Sequence, residues 1–315
     1  MPQFILKTRQ NMSAGRAPEI SALPALFMRR KSIPAYSEKG LGPRLPDTKK
    51  AVLDLLEGEE LSGFSGVGIA MPGIVDPEKK KVLGLYKKYE DSKEMDLEEW
   101  CREAFGLPAF LEMDSKLALA GELHMGCGRG YEDAVMMILG TGVGTAVSLG
   151  GKILRSRNYT AGALASHIIV NLRGAACTCP NRGCLEAEAS GWALPGLLRR
   201  HPGFSESGIS GEEKLDFRSL QKWVLRKDPV AEEVLLRCVE VWRAGILNLI
   251  HAYDPQLVIL SGAVMNFQGL FQKLTEGIER CIWDCCGPVV IKEAEYPEDS
   301  VLFGLYYLVR NGGVI

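Results

Sequence analysis

The strongest constraint on the fold of this 315-residue chain is a short cluster of cysteines. Cys177, Cys179 and Cys184 lie within eight residues, and His167 precedes the first of them by ten residues. Three thiols and one imidazole are the ligand set of a closed tetrahedral zinc site, because sulfur and imidazole nitrogen suit Zn²⁺ and four ligands leave no open position. Ordinary thiols, or a disulfide between Cys177 and Cys184, are the alternatives. A closed site is structural, so the predicted metal fastens a loop.

Composition argues against several classes of protein. The chain has a net charge of −2, with 46% hydrophobic and 24% charged residues, which is typical of a globular protein. Such a balance gives no electrostatic basis for binding nucleic acid or an anionic membrane. No apolar run reaches the length of a membrane span, and the first residues lack the apolar core of a secretory signal. Together with an odd count of nine cysteines, these features predict a cytoplasmic protein.

The first residues are the least informative segment. Residues 4–6 have the composition of a short strand, and residues 1–31 carry six basic side chains against one acidic side chain. This segment is either a solvated end or a tail that binds DNA, and it is too short for a winged helix-turn-helix domain.

Strand and helix patterns alternate along the rest of the chain. Strands are predicted at 66–70, 107–112, 135–139 and 257–260, and helices at 48–56, 97–105, 115–125, 192–198, 229–252 and 299–309. Asp47 is predicted to cap the first of these helices. The alternation indicates α/β layers, and the length favours two domains.

Asp114 is the candidate catalytic base. It follows a predicted buried strand, and a carboxylate at such a strand end can accept the proton of an attacking hydroxyl. The alternative is that Asp114 only caps the helix that begins at Ser115.

A glycine-rich loop follows the strand at 135–139. Gly140, Thr141, Gly142 and Gly144 leave room for backbone N–H groups to approach phosphate oxygens. Such a run is also typical of a plain hairpin turn.

The segment CTCPNRGCLEAEASG, residues 177–191, resembles the C-x-C-G-x-x-G-C-x-E signature of the ROK family (repressors, open reading frames and sugar kinases), with Pro180 where glycine is usual. In that family a G-E-x-G-H element comes first, and its histidine is the fourth zinc ligand. Here the element reads Ala163 to His167, with Leu164 in the glutamate position. The resemblance runs from about Pro34 to the end of the sequence.

The resemblance implies a two-lobed, actin-like ATPase (ribonuclease H-like) sugar-kinase fold of the α/β class. Residues 1–115, completed by a helix at 300–315, form the expected N-terminal lobe, and residues 116–299 form the C-terminal lobe. It also implies that Asp114 is the base, that His167 and Glu186 bind the sugar, that the glycine loop binds phosphate and that Gly262 lies in an adenosine loop. The alternative interpretation of Glu186 is a solvated carboxylate on the helix that begins near Leu185. The implied cofactors are ATP, Mg²⁺ and structural Zn²⁺, and the implied assembly is a homodimer.

Three departures from the family pattern bear on activity. Met113 replaces an asparagine that holds the sugar, Leu164 replaces a glutamate, and no Asp-x-Gly-Gly-Thr motif occurs before Asp114. A thioether cannot replace the donors and acceptor of an amide. The sequence therefore predicts a kinase that transfers the γ-phosphoryl group of ATP to a hexose or N-acylhexosamine, or alternatively a non-catalytic relative that binds a sugar or a partner. A repressor is disfavoured because no DNA-binding domain is visible.

Overall fold

The computed structural model describes residues 3–8, 29–56, 58–85 and 88–315. These residues divide into two compact units. The first unit holds the described residues up to Arg129 together with 155–160 and 298–315, and the second holds 130–154 and 161–297. The basic segment at the start of the chain lies mostly outside the described residues, apart from a strand at residues 3–8 that agrees with the prediction for residues 4–6.

Strands and helices alternate through both units. The strands are β1 (Gln3–Thr8), β2 (Phe64–Met71), β3 (Gly73–Asp76), β4 (Lys81–Leu85), β5 (Ala109–Met113), β6 (Ala134–Leu139), β7 (Val143–Leu149), β8 (Lys152–Ile153), β9 (Leu257–Ser261) and β10 (Val290–Glu293). The helices are α1 (Leu45–Leu55), α2 (Leu97–Phe105), α3 (Asp114–Met125), α4 (Leu185–Glu188), α5 (Leu194–Arg200), α6 (Phe217–Leu225), α7 (Pro229–Tyr253), α8 (Leu270–Thr275) and α9 (Ser300–Arg310).

The first unit contains a three-stranded sheet in the order β1-β2-β5. Strand β1 is antiparallel to β2, whereas β2 is parallel to β5 with Met71 opposite Met113. Strands β3 and β4 form a separate antiparallel hairpin. Strand β2 is buried along nearly its whole length, as expected for a strand that is covered on both faces.

Helices α3 and α9 pack closely within the first unit. A Cβ atom on Gly121 would lie less than 3.0 Å from the backbone of Ser300, and one on Gly304 less than 3.0 Å from the backbone of Leu117. The two glycines therefore let the helix backbones approach one another directly. Leu117, Leu305 and Leu308 fill the adjoining core.

The second unit contains a five-stranded sheet in the order β10-β9-β6-β7-β8. Strand β9 is parallel to β6, with Ser261 opposite Ile138, so both strands end at the same edge. Their next residues, Gly262 and Gly140, therefore emerge together. Helix α7 carries the fully buried Trp242, whose indole N–H donates to the carbonyl of Ala189 at 2.7 Å.

Several helix starts and one boundary differ from the sequence-based predictions, and the helices predicted from 192 and 299 begin at Leu194 and Ser300. Helix α1 begins at Leu45, so Asp47 lies inside its first turn and pairs with Arg44 at 2.8 Å, and the predicted cap is wrong. Helix α3 begins at Asp114. The first unit continues to Arg129, beyond the expected boundary at residue 115, because α3 packs against α9.

None of the helices in the described parts of the chain combines the length and the apolar character that a membrane crossing requires.

Candidate active site and metal centre

The four predicted zinc ligands converge in the second unit. One ligand atom from each of His167, Cys177, Cys179 and Cys184 lies within 4.8 Å of all the others. His167 Nδ1 is 3.5 Å from Cys177 Sγ, and Cys179 Sγ is 3.6 Å from Cys184 Sγ. All three thiols are free, so the alternative of a disulfide between Cys177 and Cys184 is wrong. Tetrahedral zinc with ordinary bond lengths separates two sulfurs by about 3.8 Å and a sulfur from a nitrogen by about 3.6 Å. The donor set therefore fits Zn²⁺ in both chemistry and spacing.

The cluster is partly buried, with Cys184 buried and the other three ligands half-buried. Burial and then the neighbouring Cys179 and Cys177 thiols raise the pKa of Cys184 to about 12. Three thiolates in such a position repel one another unless a metal ion compensates their charge.

Backbone pairing shapes the loop that carries these ligands. Isolated bridges join Ile169 to Cys184 and Ala176 to Arg182. Gly183 has a φ of 69°, and a Cβ there would overlap the carbonyl oxygen of Asn171. Glycine is therefore required immediately before the third cysteine.

The buried carboxylate of Glu188 holds this loop through hydrogen bonds, a role that was not predicted from the sequence. The fully buried Glu188 accepts hydrogen bonds from Asn171 Nδ2 at 3.0 Å, the Ala175 N–H at 2.6 Å and Arg237 Nη2 at 2.5 Å. Burial opposes its ionisation, but these three donors hold the pKa of Glu188 below its ordinary value. The available signal was a second acidic residue, two positions after Glu186, with alanine on either side.

The glycine loop joins β6 to β7 and rests on the turn that follows α4. The N–H of Gly191 donates to the Gly140 carbonyl at 3.0 Å, and the N–H of Trp192 donates to the Thr141 carbonyl at 2.9 Å. A Cβ on Gly140 would meet nothing within 4 Å. The space above the loop at Gly140 is therefore open. Packing within the protein does not require glycine at this position.

Glu186 lies against the same loop. Its Oε2 accepts the Val143 N–H at 2.9 Å, and its Oε1 accepts the Trp192 indole N–H at 3.2 Å. A Cβ on Gly142 would come within 2.5 Å of Oε2. The carboxylate predicted to bind sugar is thus bonded to the backbone of the loop predicted to bind phosphate, and the alternative of a freely solvated carboxylate is wrong.

Gly262 lies beside the base of that loop. It has a φ of 98°, and a Cβ there would lie less than 3.0 Å from the backbone of Leu139. Gly144 pairs with Ile138 at the start of β7. The four loop residues and Gly262 therefore occupy one edge of the second unit's sheet.

The segment that ends in His167 is fastened to β7. The hydroxyl of the buried Thr145 donates to the Ala163 carbonyl at 3.1 Å, and Gly162 has a φ of 71° where a Cβ would crowd Val147. Leu164 is 36% exposed, so an apolar side chain faces solvent where the family pattern has a carboxylate.

Asp114 belongs to the first unit. It is the first residue of α3, directly after strand β5, and its Oδ1 accepts the Ser115 N–H at 2.7 Å. Burial raises the pKa of this carboxyl, although the hydrogen bond from Ser115 opposes the change. Met113, at the preceding position, is buried.

Comparison with known proteins gives this arrangement a context. The sequence profile of the ROK family matches residues 45–311. The chain belongs to the ROK family. A glucokinase of Thermotoga maritima is 30% identical over 269 residues, which cover 83% of each chain. The xylose repressor of Bacillus subtilis is 25% identical over 204 residues, which cover 65% of this chain and half of the repressor.

A solved structure agrees with these sequence relatives. A ROK family glucokinase from Streptomyces griseus, crystallised in complex with glucose and AMPPNP, superposes with a TM-score of 0.72 at 26% identity and covers 87% of this chain and 89% of its own. The predicted actin-like, α/β sugar-kinase fold is confirmed. The ROK relatives include both sugar kinases and transcriptional repressors, so family membership alone does not assign an activity.

Proposed function

We propose that this ROK protein is an ATP-dependent sugar kinase that phosphorylates a hydroxyl of a hexose or an N-acylhexosamine. The observation that carries the proposal is the placement of Asp114. A carboxylate at the end of a parallel strand, at the first turn of a helix and with a raised pKa, has the properties of a general base. The similarity to the glucokinases supports the choice of substrate class.

In the proposed reaction, a carboxylate oxygen of Asp114 accepts the proton of the attacking sugar hydroxyl. The hydroxyl oxygen forms a bond to the γ-phosphorus of ATP, the bond from that phosphorus to the β–γ bridging oxygen breaks, and ADP leaves. Mg²⁺ bound to the nucleotide neutralises the charge of the phosphates. Gly140, Thr141, Gly142 and Gly144 are proposed to bind phosphate through backbone N–H groups.

Two side chains of the second unit are proposed to hold the sugar. Glu186 uses two hydrogen bonds in the protein, and a carboxylate offers about four acceptor positions, so it retains capacity for a sugar hydroxyl. His167 would contribute through the face of its ring while one ring nitrogen would hold Zn²⁺. Zn²⁺ is proposed to be structural, Gly262 to lie against the adenosine, and the assembly to be a homodimer.

A specific observation favours a second candidate, a sugar-binding homologue without catalysis. Met113 and Leu164 stand where two polar sugar contacts are expected. Phosphoryl transfer relies mainly on positioning and charge neutralisation, so these losses weigh against turnover.

An ADP-release assay with Mg-ATP and a panel of hexoses and N-acylhexosamines tests the proposal. We expect sugar-dependent turnover that Asp114→Asn lowers by at least about 10²-fold, the contribution of a general base. Asp96→Asn is the matched control, because Asp96 caps α2 and asparagine preserves a cap. Sugar binding in calorimetry without turnover on any sugar would support the second candidate.

A further inference from the structure

The first unit contains a group of charged side chains that the proposed reaction does not use, two of them buried and the third, Arg155, partly exposed. Glu112 on β5 has no exposed surface, and its Oε2 accepts Arg155 Nη2 at 2.6 Å. Lys116 on α3 is 2% exposed, and its Nζ donates to the Tyr159 carbonyl at 2.9 Å. Burial lowers the pKa of Lys116, Arg155 lowers it further, and Glu112 opposes this change, as expected for three neighbouring charges.

This group joins two distant parts of the chain. Residues 155–160, here called the crossing segment, belong to the first unit although the residues on both sides belong to the second. Arg155 and Tyr159 lie in the crossing segment, and each is 43 residues from its partner on β5 or α3. Burial and the carboxylate of Asp76, which is almost fully buried, raise the pKa of the Tyr159 phenol.

The backbone of the crossing segment is held in a costly conformation. Tyr159 has a φ of 59°, which costs a residue with a Cβ about 1–2 kcal/mol. Such conformations persist where the surroundings fix them, and they concentrate at functional sites. The bond from Lys116 Nζ to the Tyr159 carbonyl supplies that restraint.

Stability alone does not account for the pair of Glu112 and Arg155. Replacing a buried ion pair with apolar side chains of similar size is often neutral or stabilising, whereas removing one partner is strongly destabilising. The second oxygen of Glu112, Oε1, accepts the N–H of Met113 at 2.9 Å. The pair therefore restrains the backbone immediately before Asp114, at the corner where β5 becomes α3.

We propose that Glu112, Arg155 and Lys116 are positioning residues that fix the corner carrying Asp114 against the crossing segment. The consequence for catalysis rests on the proposed kinase function, whereas the structural restraint does not. A base misplaced by about 1 Å costs up to about 10²-fold in rate.

A double-mutant cycle separates positioning from stability. Arg155→Met is expected to lower both the melting temperature and kcat, kcat by about 10- to 10²-fold, with the sugar KM little changed. Adding Glu112→Met removes the unpaired carboxylate, so we expect the melting temperature to recover while kcat stays low. Arg102→Met is the control, because Arg102 pairs with Glu99 on the surface of α2. Recovery of kcat together with the melting temperature would overturn the positioning role.

Hydrogen exchange tests the restraint without turnover. In Arg155→Met we expect faster exchange at the amides of residues 113–116 and 155–160, with exchange in the zinc loop at 167–184 unchanged. If the wild-type protein shows no kinase activity, the proposed function fails. The exchange measurement alone then decides whether Arg155 restrains the corner that carries Asp114. Unchanged exchange at residues 113–116 would refute it.

Discussion

The carboxylate of Glu186 accepts the backbone N–H of Val143 at 2.9 Å, so the helix that follows the cysteine cluster holds the glycine loop directly. Cys184 lies two residues before Glu186, and its ligand group is shared with His167. A metal at the cluster would therefore act on the loop through Glu186, in addition to the backbone bonds from the turn that follows α4. The positions of the glycine loop and of the metal centre are therefore coupled within the second unit.

Replacing this carboxylate is expected to loosen the loop. In Glu186→Gln, one of the two donors, the Val143 N–H or the Trp192 indole, faces an amide NH₂ that cannot accept. We expect a loss of about 1.5–3 kcal/mol of stability, the range for hydrogen bonds to charged groups, and weaker binding of an ATP analogue in calorimetry. Trp192→Phe removes only the bond to Oε1 and should have the smaller effect. Equal binding and stability in Glu186→Gln and wild type would contradict this account.

The raised pKa of Asp114 predicts a trade-off between stability and activity. In the pH range between the ordinary value of 3.8 and the raised folded-state value, the folded protein retains a proton that the unfolded chain has lost, so stability falls as pH rises. Asp114→Asn removes the ionised form and should raise the melting temperature at neutral pH, with the difference vanishing below pH 3.8.

The same carboxyl must be ionised to act as a base. The kcat/KM of the wild-type protein should therefore decline as pH falls through the raised pKa of Asp114. Melting curves across pH and a pH–rate profile provide the measurements. Identical pH dependences of the melting temperature in Asp114→Asn and wild type would argue against a desolvated carboxylate.

Zinc content provides a test that is independent of catalysis. Purified protein should contain one Zn²⁺ per chain by elemental analysis, and Cys184→Ser should lose the metal, protection from hydrogen exchange at residues 167–184 and several degrees of melting temperature. Cys281→Ser is the control, because that thiol is exposed and lies outside the cluster. Wild-type protein with no bound zinc would refute the assignment.

Alanine substitutions at two glycines of the second unit distinguish the energetic cost of backbone strain from the cost of steric overlap. Gly262 and Gly269 have φ values of 98° and 73°, but only at Gly262 would a Cβ meet neighbouring atoms. Gly269→Ala should cost about 1 kcal/mol from strain alone, whereas Gly262→Ala should cost more and displace the end of β6. Urea denaturation measures both. Equal losses of stability would mean that the backbone of Leu139 shifts to accommodate the added methyl group at little energetic cost.

The glycine loop itself offers a test of phosphate binding. A Cβ on Gly140 or on Gly211 meets nothing within 4 Å, and neither residue has a positive φ. Both alanine variants should therefore fold with nearly wild-type stability. We expect only Gly140→Ala to weaken ATP-analogue binding, because its methyl group occupies the space above the loop. Unaltered binding would remove this loop from the proposed nucleotide site.

The sequence allowed prediction wherever chemistry and spacing are local. The four candidate zinc ligands are residue types that suit one metal and lie close along the chain, and the strand before Gly140 is a continuous apolar run. Contacts between remote residues had no such signal: Arg237 reaches Glu188 across 49 positions, and Arg155 reaches Glu112 across 43. The Asp47 cap was wrong because Pro46 allows α1 to begin earlier, at Leu45.

The close contact between α3 and α9 has a consequence for biosynthesis. Gly121 meets Ser300 only after the ribosome has translated the whole of the second unit, so the first unit cannot complete its core as it emerges. The nascent chain must keep the apolar face of α3 uncovered for that interval. The core of the first unit can therefore close only after α9 has been released from the ribosome.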